Sequence, residues 1–306
     1  MSIRILEHEQ VVWTDIVNPT ETDITTLGMH YPQFHPLNLH DCLTEFEFPK
    51  LDPYDDYLFI VLHMPYYDGN ERVSRRSEVD IFVAQGVFVT VHEGKLRQLT
   101  ELFDTIQNDH ALQDTLMGRG AAYFLHEIIQ RLVGKCYPML QRVNQNIRHI
   151  EDNLFDDDAQ HILREIAVTR RNIIALRHIL RPQVDVTRML ESGDWIFVQR
   201  ELNYYWGDIA DQMMHLRAML DEQFDVITSL SDTIDTLATH RLDEVVRILT
   251  IITLLTVPMT LLATIFGMNF DLPYGNMHLT AFLLINLIGV ILTILVIVYL
   301  RRRRWL

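Results

Sequence analysis

Two apolar runs near the C-terminal end constrain this chain more than any other feature. Residues 248–266 read ILTIITLLTVPMTLLATIF and residues 279–300 read LTAFLLINLIGVILTILVIVYL, and neither contains a charge. Each is close to the ~20 residues that carry a helix across a bilayer. Pro258, inside the first run, is better tolerated in such a span than in a helix exposed to water. The segment 267–278 between them is too short for a domain, so the two runs predict a transmembrane hairpin. Arg301, Arg302, Arg303 and Arg304 follow the second run, Arg241 and Arg247 precede the first, and 267–278 has no Lys or Arg. That asymmetry puts both termini in the cytoplasm, the four arginines as a basic ring there, and the short loop outside. The N-terminal stretch MSIRILEHEQVVWTD is interrupted by acids and lacks a signal-peptide core, so the expectation is a multi-pass protein of the cell membrane with a cytosolic N-terminal part.

The cytosolic part divides by texture. In 1–120, three short β-branched and aromatic segments (57–67, 77–85 and 86–94) are bounded by breakers, and the last two predict a hairpin through Ala84-Gln85-Gly86. A helix is expected from Pro19 to near Gly28, and another over KLRQLTELFDTIQND. In 121–194 the apolar spacing turns helical. It predicts one long helix with a bend at Pro138, an acidic turn at Asp156-Asp157-Asp158, and a second helix stopped by Pro182. A third helix is expected from near Trp195, with 195–247 as a cytosolic stalk running directly into the span 248–266, on the order of 100 Å in all.

Five threonines in the first span, Thr250, Thr253, Thr256, Thr260 and Thr264, are spaced 3, 3, 4 and 4 apart. At about 100° per residue they share roughly one third of the helix circumference. Continued backwards, the same phase collects Asp243, Thr239, Asp235, Asp232, Thr228, Asp225 and Asp221. Taken one at a time, the threonines read as helix–helix contacts or hydroxyls bonded back to the preceding turn, and the aspartates as a solvated face. A polar stripe of constant phase through both environments is instead the form of a helix lining a water-filled path. One such helix cannot enclose a path, so a symmetric homo-oligomer with a funnel-shaped stalk is expected, each aspartate repeated as a cation-attracting ring.

The net charge of −15 suits a protein that attracts cations and argues against nucleic-acid binding. Cys42 and Cys136 lie in no ligand spacing and read as reduced thiols. His30, His35 and His40 recur every five residues and hold no helical face, while His63 and His92 sit singly on strands and read as structural. No nucleotide-binding glycine loop or nucleophile motif occurs, so an enzyme is not expected.

The residues then resemble a family. FGMNF at 266–270, between a proline-containing first span and a second span ending in a basic run, resembles the CorA-type magnesium transporters, whose signature is Gly-Met-Asn. HPLNLHDCLTEFEFPKLDPYDDYLFIVLHMPYYD and VDIFVAQGVFVTVHEG are similar to the family's N-terminal motifs. The resemblance covers essentially the whole chain. It implies an α+β membrane protein: an N-terminal αβα cytosolic domain, a helical hairpin, a long stalk, two C-terminal transmembrane helices and a homopentamer in the lipid bilayer. It implies Gly267, Met268 and Asn269 as an external selectivity filter for hydrated Mg2+. It implies a pore lined by Asp243, Val246, Leu249, Thr250, Thr253, Val257, Thr260 and Thr264, with Val246 and Leu249 as an apolar gate. Val257 stands where a methionine is expected and Asp243 where an asparagine is common. The outer loop lacks the family's glutamate and carries Asp271 as its one acid. A regulatory Mg2+ site between subunits is implied at Asp208, with Asp211 nearby and Asp68 as partner. The alternatives are a Zn2+, Co2+ or Ni2+ transporter of the same fold and a non-conducting membrane-anchored sensor. Asn269 leaves the threonine phase if the helix continues, so the helix is expected to end near Gly267.

Overall fold

A computed structural model describes residues 3–9, 11–44, 47–154, 159–193, 202–267 and 279–302. The chain divides into two compact units, Met1–Ser231 and Asp232–Leu306.

The first unit is built on a six-stranded sheet of order β1-β2-β6-β5-β4-β3. The strands are β1 (Ile3–His8), β2 (Val11–Val17), β3 (Lys50–Pro53), β4 (Tyr57–Asp68), β5 (Val73–Ala84) and β6 (Val87–His92). All neighbours are antiparallel except β2 and β6, which run parallel. The expected hairpin is present. Ala84 pairs with Val87, and Gly86 takes the left-handed φ of 76° that the two-residue connection demands.

Alternation along the strands sends two apolar sets to opposite faces. On one face Phe59, Val61, Phe82, Ala84, Val89 and Val91 pack with Ile24 and Leu27 of α1 (Glu21–His30) and with Phe34 and Cys42. On the other, Trp13 and Phe88 meet Phe103 of α3 (Arg97–Asn108) and Phe124 of α5 (Ala121–Gly134), with ring centroids 4.7 to 6.3 Å apart. The layering is thus helix, sheet, helix. The short helices α2 (Pro36–Asp41) and α4 (His110–Met117) complete the two layers. Thr20 caps α1 in a full capping box with Asp23, and the helix runs two residues past Gly28 to His30.

Two helical expectations are corrected. The helical stretch 121–153 is interrupted not at Pro138, as expected, but at Lys135, which keeps helical backbone angles. It comprises α5 and α6 (Cys136–Asn153). Pro138 has no N–H to offer the carbonyl of Gly134 and its ring crowds that carbonyl, so the interruption falls upstream of the proline itself. Pro182 does not stop the next helix, α7 (Ala159–Ser192), which carries it internally. His178, whose carbonyl loses its partner, is exposed, so water can reach that group. The opposite face (Ile179, Leu180, Gln183, Val184) stays buried. The third helix, α8, is described from Asn203 to Gly267. The start expected near Trp195 falls outside the described residues, as does the turn 156–158.

The second unit contains the remainder of α8 and α9 (Leu279–Arg302). Pro258 lies inside α8, as its place in the first apolar run predicts. Among the described residues alone, no helix is long and apolar enough to cross a membrane. The two spans read from the sequence include side chains outside the described ones and remain a sequence reading.

Candidate functional site

α8 is continuous from Asn203 to Gly267, so residues of one helical phase share one face throughout. The five threonines on that face behave alike. Thr250, Thr253, Thr256 and Thr260 donate their hydroxyl hydrogens to the carbonyls of Val246, Leu249, Ile252 and Thr256, at 2.7 to 2.8 Å. Thr264 donates to Leu261, at 2.9 Å. Thr228 and Thr239, on the same phase nearer the N-terminus, donate to Phe224 and Asp235. Back-bonding and the polar stripe therefore coexist. Each hydroxyl has one hydrogen, and here it is committed to the helix. What the oxygen turns outward is lone pairs.

Asp243, Thr253, Val257, Thr260 and Thr264 are exposed on the isolated chain, and Thr250 is half-buried. Val246 is 60% exposed and Leu249 61%. So are Leu242, Val245, Ile248, Ile252 and Leu261 around them. These side chains make a large exposed apolar surface on this part of α8. α8 is described as far as Gly267, and whether it ends there, as expected, falls outside the described residues. Met268 and Asn269 lie outside the described residues, as do Arg303 and Arg304. Of the basic run, Arg301 and Arg302 lie in α9.

The carboxylates expected to bind a regulatory ion are separately employed within one chain. Asp208 and Asp211 are exposed on α8, and Asp208 Oδ2 accepts from Gln212 Nε2 at 2.7 Å. Asp68 closes the β4–β5 turn. Its Oδ1 accepts from the backbone N–H of Asn70 and Glu71 at 3.0 and 3.4 Å, and its Oδ2 from Arg75 Nε at 3.0 Å. Those backbone donors, Glu71 first, and the Arg75 charge hold the Asp68 carboxyl below its usual range. Among the described residues the three aspartates form no common ligand group.

The histidines on strands are structural, as expected. His63 Nε2 lies 3.1 Å from Glu78 Oε2, and His92 Nε2 lies 3.2 Å from Asp15 Oδ1. No local pattern of residues pointed to the network around that second pair. Asp15 is fully buried on β2 and accepts from Arg4, Thr90 and His92, while Trp13 Nε1 donates to Thr90. Burial alone pushes the Asp15 carboxyl up, but His92, Thr90 and Arg4 together bring it below the usual value. Both cysteines are free and buried. Burial pushes the Cys136 thiol up to about 12 and Cys42 well above its ordinary value. They are packing groups, not ligands in waiting.

The model of the "CorA-like Mg2+ transporter protein" family matches residues 8–302. YfjQ of Bacillus subtilis is 29% identical over 85% of this chain and 78% of its own length. The cobalt/magnesium transport protein CorA of Thermotoga maritima is 24% identical over 96% and 83%. The zinc transport protein ZntB of Pectobacterium carotovorum is 23% identical over 84% and 77%. Among solved structures, the complete CorA magnesium transporter of Methanocaldococcus jannaschii superposes with a TM-score of 0.82 at 20% identity, covering 98% of this chain and 93% of that one. A family match over nearly the whole chain, joined to a shared fold of the full-length protein, places this chain in the CorA-like family of membrane metal-ion transporters.

Proposed function

We propose that the chain conducts hydrated divalent cations, Mg2+ foremost, into the cell through a path lined by the polar stripe of α8, one helix from each subunit of a homopentamer. The observation that carries this reading is the commitment of the threonine hydrogens to the helix backbone. The first water shell of a cation points its hydrogens outward. A wall of hydroxyls with their donors already used accepts from that shell and offers nothing to the shell of an anion. Mg2+ sheds its waters reluctantly, so a lining that bonds to the shell suits it better than one that must replace it.

In this reading 1–120 and 121–194 are cytosolic, 195–247 is the stalk, 248–266 and 279–300 cross the bilayer, and 267–278 faces outward. Gly267, Met268 and Asn269 form the outer filter, with the neutral Asn269 amide as first contact. Val246 and Leu249 form an apolar gate that closes by dewetting, and Asp243 forms a carboxylate ring below it. Arg301, Arg302, Arg303 and Arg304 anchor the cytosolic end of the second span. Cytosolic Mg2+ bridging Asp208 or Asp211 of one subunit to Asp68 of the next favours the closed state, and its loss lets the subunits part. For Asp68 to serve, the ion has to compete with Arg75, which already holds one of its oxygens.

A second reading, transport of Zn2+ or Co2+ by the same fold, is supported by the names of relatives such as the Pectobacterium zinc protein and the Thermotoga cobalt/magnesium protein. Ion flux into proteoliposomes with Mg2+, Co2+ and Zn2+ in turn tests both. The proposal expects Mg2+ flux that Asn269→Ala abolishes. Flux of Zn2+ alone favours the second reading, and no flux of any of the three refutes both.

A further inference from the structure

The end of the β1–β2 hairpin carries a cluster that the conduction reading does not use. His8 is the last residue of β1, Glu9 follows it in the turn, and Asp114 reaches the same place from α4, more than a hundred residues later. Among the described residues this is the one group of three potential ligands, one imidazole and two carboxylates, whose donor atoms all lie within 4.8 Å of one another.

The way the atoms meet is informative. His8 Nε2 stands 2.8 Å from Asp114 Oδ1, a hydrogen-bonding distance, yet it makes no hydrogen bond and is sealed from solvent. The two groups form a close imidazole–carboxylate pair in which the hydrogen is poorly aimed. Ligands of a single ion stand in that relation. With bonds near 2.0 to 2.1 Å, the edge of a coordination sphere is about 2.8 to 3.4 Å long, shortest for an octahedral arrangement. Glu9 joins from the side. Its Oε2 lies over Gly118, 3.5 Å from where a Cβ at that position would stand. Glu9 and Asp114 are exposed and His8 is half-buried, so water can complete the sphere.

We propose that His8, Glu9 and Asp114 form a binding site for a borderline divalent cation of the Zn2+ or Co2+ class, clamping the β1–β2 turn to α4. An imidazole nitrogen beside two carboxylates suits zinc, cobalt or nickel. Mg2+ prefers oxygen alone and keeps most of its water. The site is therefore distinct in chemistry, as well as in place, from a hydrated-ion path along α8. It stands whether or not that path conducts.

The test is a Co2+ titration of the full-length, detergent-solubilised, chelator-stripped protein, read by visible ligand-field absorption. The native chain is expected to bind Co2+ with bands that differ from those of the hydrated ion, resist a large excess of Mg2+, and yield to Zn2+. His8→Ala removes that signal. Asp114→Asn, an exposed and nearly isosteric change that leaves folding intact, weakens it by about tenfold or more. Asn269→Ala leaves it in place, which separates this site from the proposed filter. An unchanged spectrum and stoichiometry in Asp114→Asn and His8→Ala overturns the proposal, and so does displacement of the Co2+ by Mg2+.

Discussion

Replacing Asp15 with Asn tests whether the sheet centre is held by charge or only by packing. Asp15 has no exposed side-chain surface, and its partners are Arg4 at 22% exposure and His92 at none. Arg4 also reaches Asp104 Oδ1 at 3.0 Å, so it keeps a partner in the variant. His92 and Thr90 do not gain one, and the new amide presents two hydrogens to a site arranged to donate. Removing one member of a buried, hydrogen-bonded charge group typically costs about 3–5 kcal/mol. The retained Arg4 contact and the similar shape of Asn place the expectation near the lower end, about 3 kcal/mol. The pH dependence has a definite sign. The folded carboxyl is held below its ordinary value. Its contribution is therefore complete above the unfolded value near 3.9, and is lost as pH falls through the folded value. The gap between native and variant chains should be full at pH 7 and shrink below about pH 4. Urea unfolding of the first unit in the detergent-solubilised chain, followed by tryptophan fluorescence, measures it, because Trp13 donates to Thr90 in the same network. A loss under about 1 kcal/mol at pH 7 refutes the reasoning. A gap that stays constant down to pH 3 refutes it equally.

Other outcomes follow from the same geometry. Thr253→Val keeps side-chain volume and loses only a hydroxyl whose hydrogen already serves Leu249, so assembly and melting temperature should hold while cation flux falls; equal flux in both chains counts against an acceptor-lined path. Cys42 and Cys136, buried and with raised thiol values, should resist maleimide in the native chain and react in urea, and prompt native labelling would show the packing to be looser than described. Arg72 holds Glu165 through two hydrogen bonds of 2.8 and 2.6 Å between the β4–β5 turn and α7, but the arginine is half exposed. A double-mutant cycle on that pair should therefore give a coupling of about 0.5–1 kcal/mol, and a value indistinguishable from zero would make it a surface contact only.

The elements legible in the sequence were those whose chemistry is local. β4, β5 and β6 are runs of β-branched and aromatic residues between turn formers, and the Gln85-Gly86 connection names its own geometry. The threonine phase of α8 needed only the helical period. β1 and β2 escaped because VVWTDIV mixes Thr14 and Asp15 with its apolar residues. Both polar side chains are buried, and two of the partners that permit the burial of Asp15, Thr90 and His92, lie on β6, some 75 residues away. The prolines misled for a related reason. Whether Pro182 ends a helix depends on which face of α7 it occupies, and that is set by packing against the sheet. The break before Pro138 follows from the carbonyl that the proline crowds, which sits four residues upstream. The His8–Glu9–Asp114 group was invisible for the plainest reason, that Asp114 arrives from a different element.

The central claim is that one face of α8 lines a cation path, and single cysteines placed at each position from 243 to 264 test it most directly. With the two native cysteines replaced by serine, reactivity toward a small, charged, water-soluble thiol reagent should follow the threonine phase. Positions 243, 246, 249, 250, 253, 256, 257, 260 and 264 should label and be protected by Mg2+, while 248, 252 and 255 should not. Labelling with no helical period, or with its maximum on the opposite face, contradicts the account.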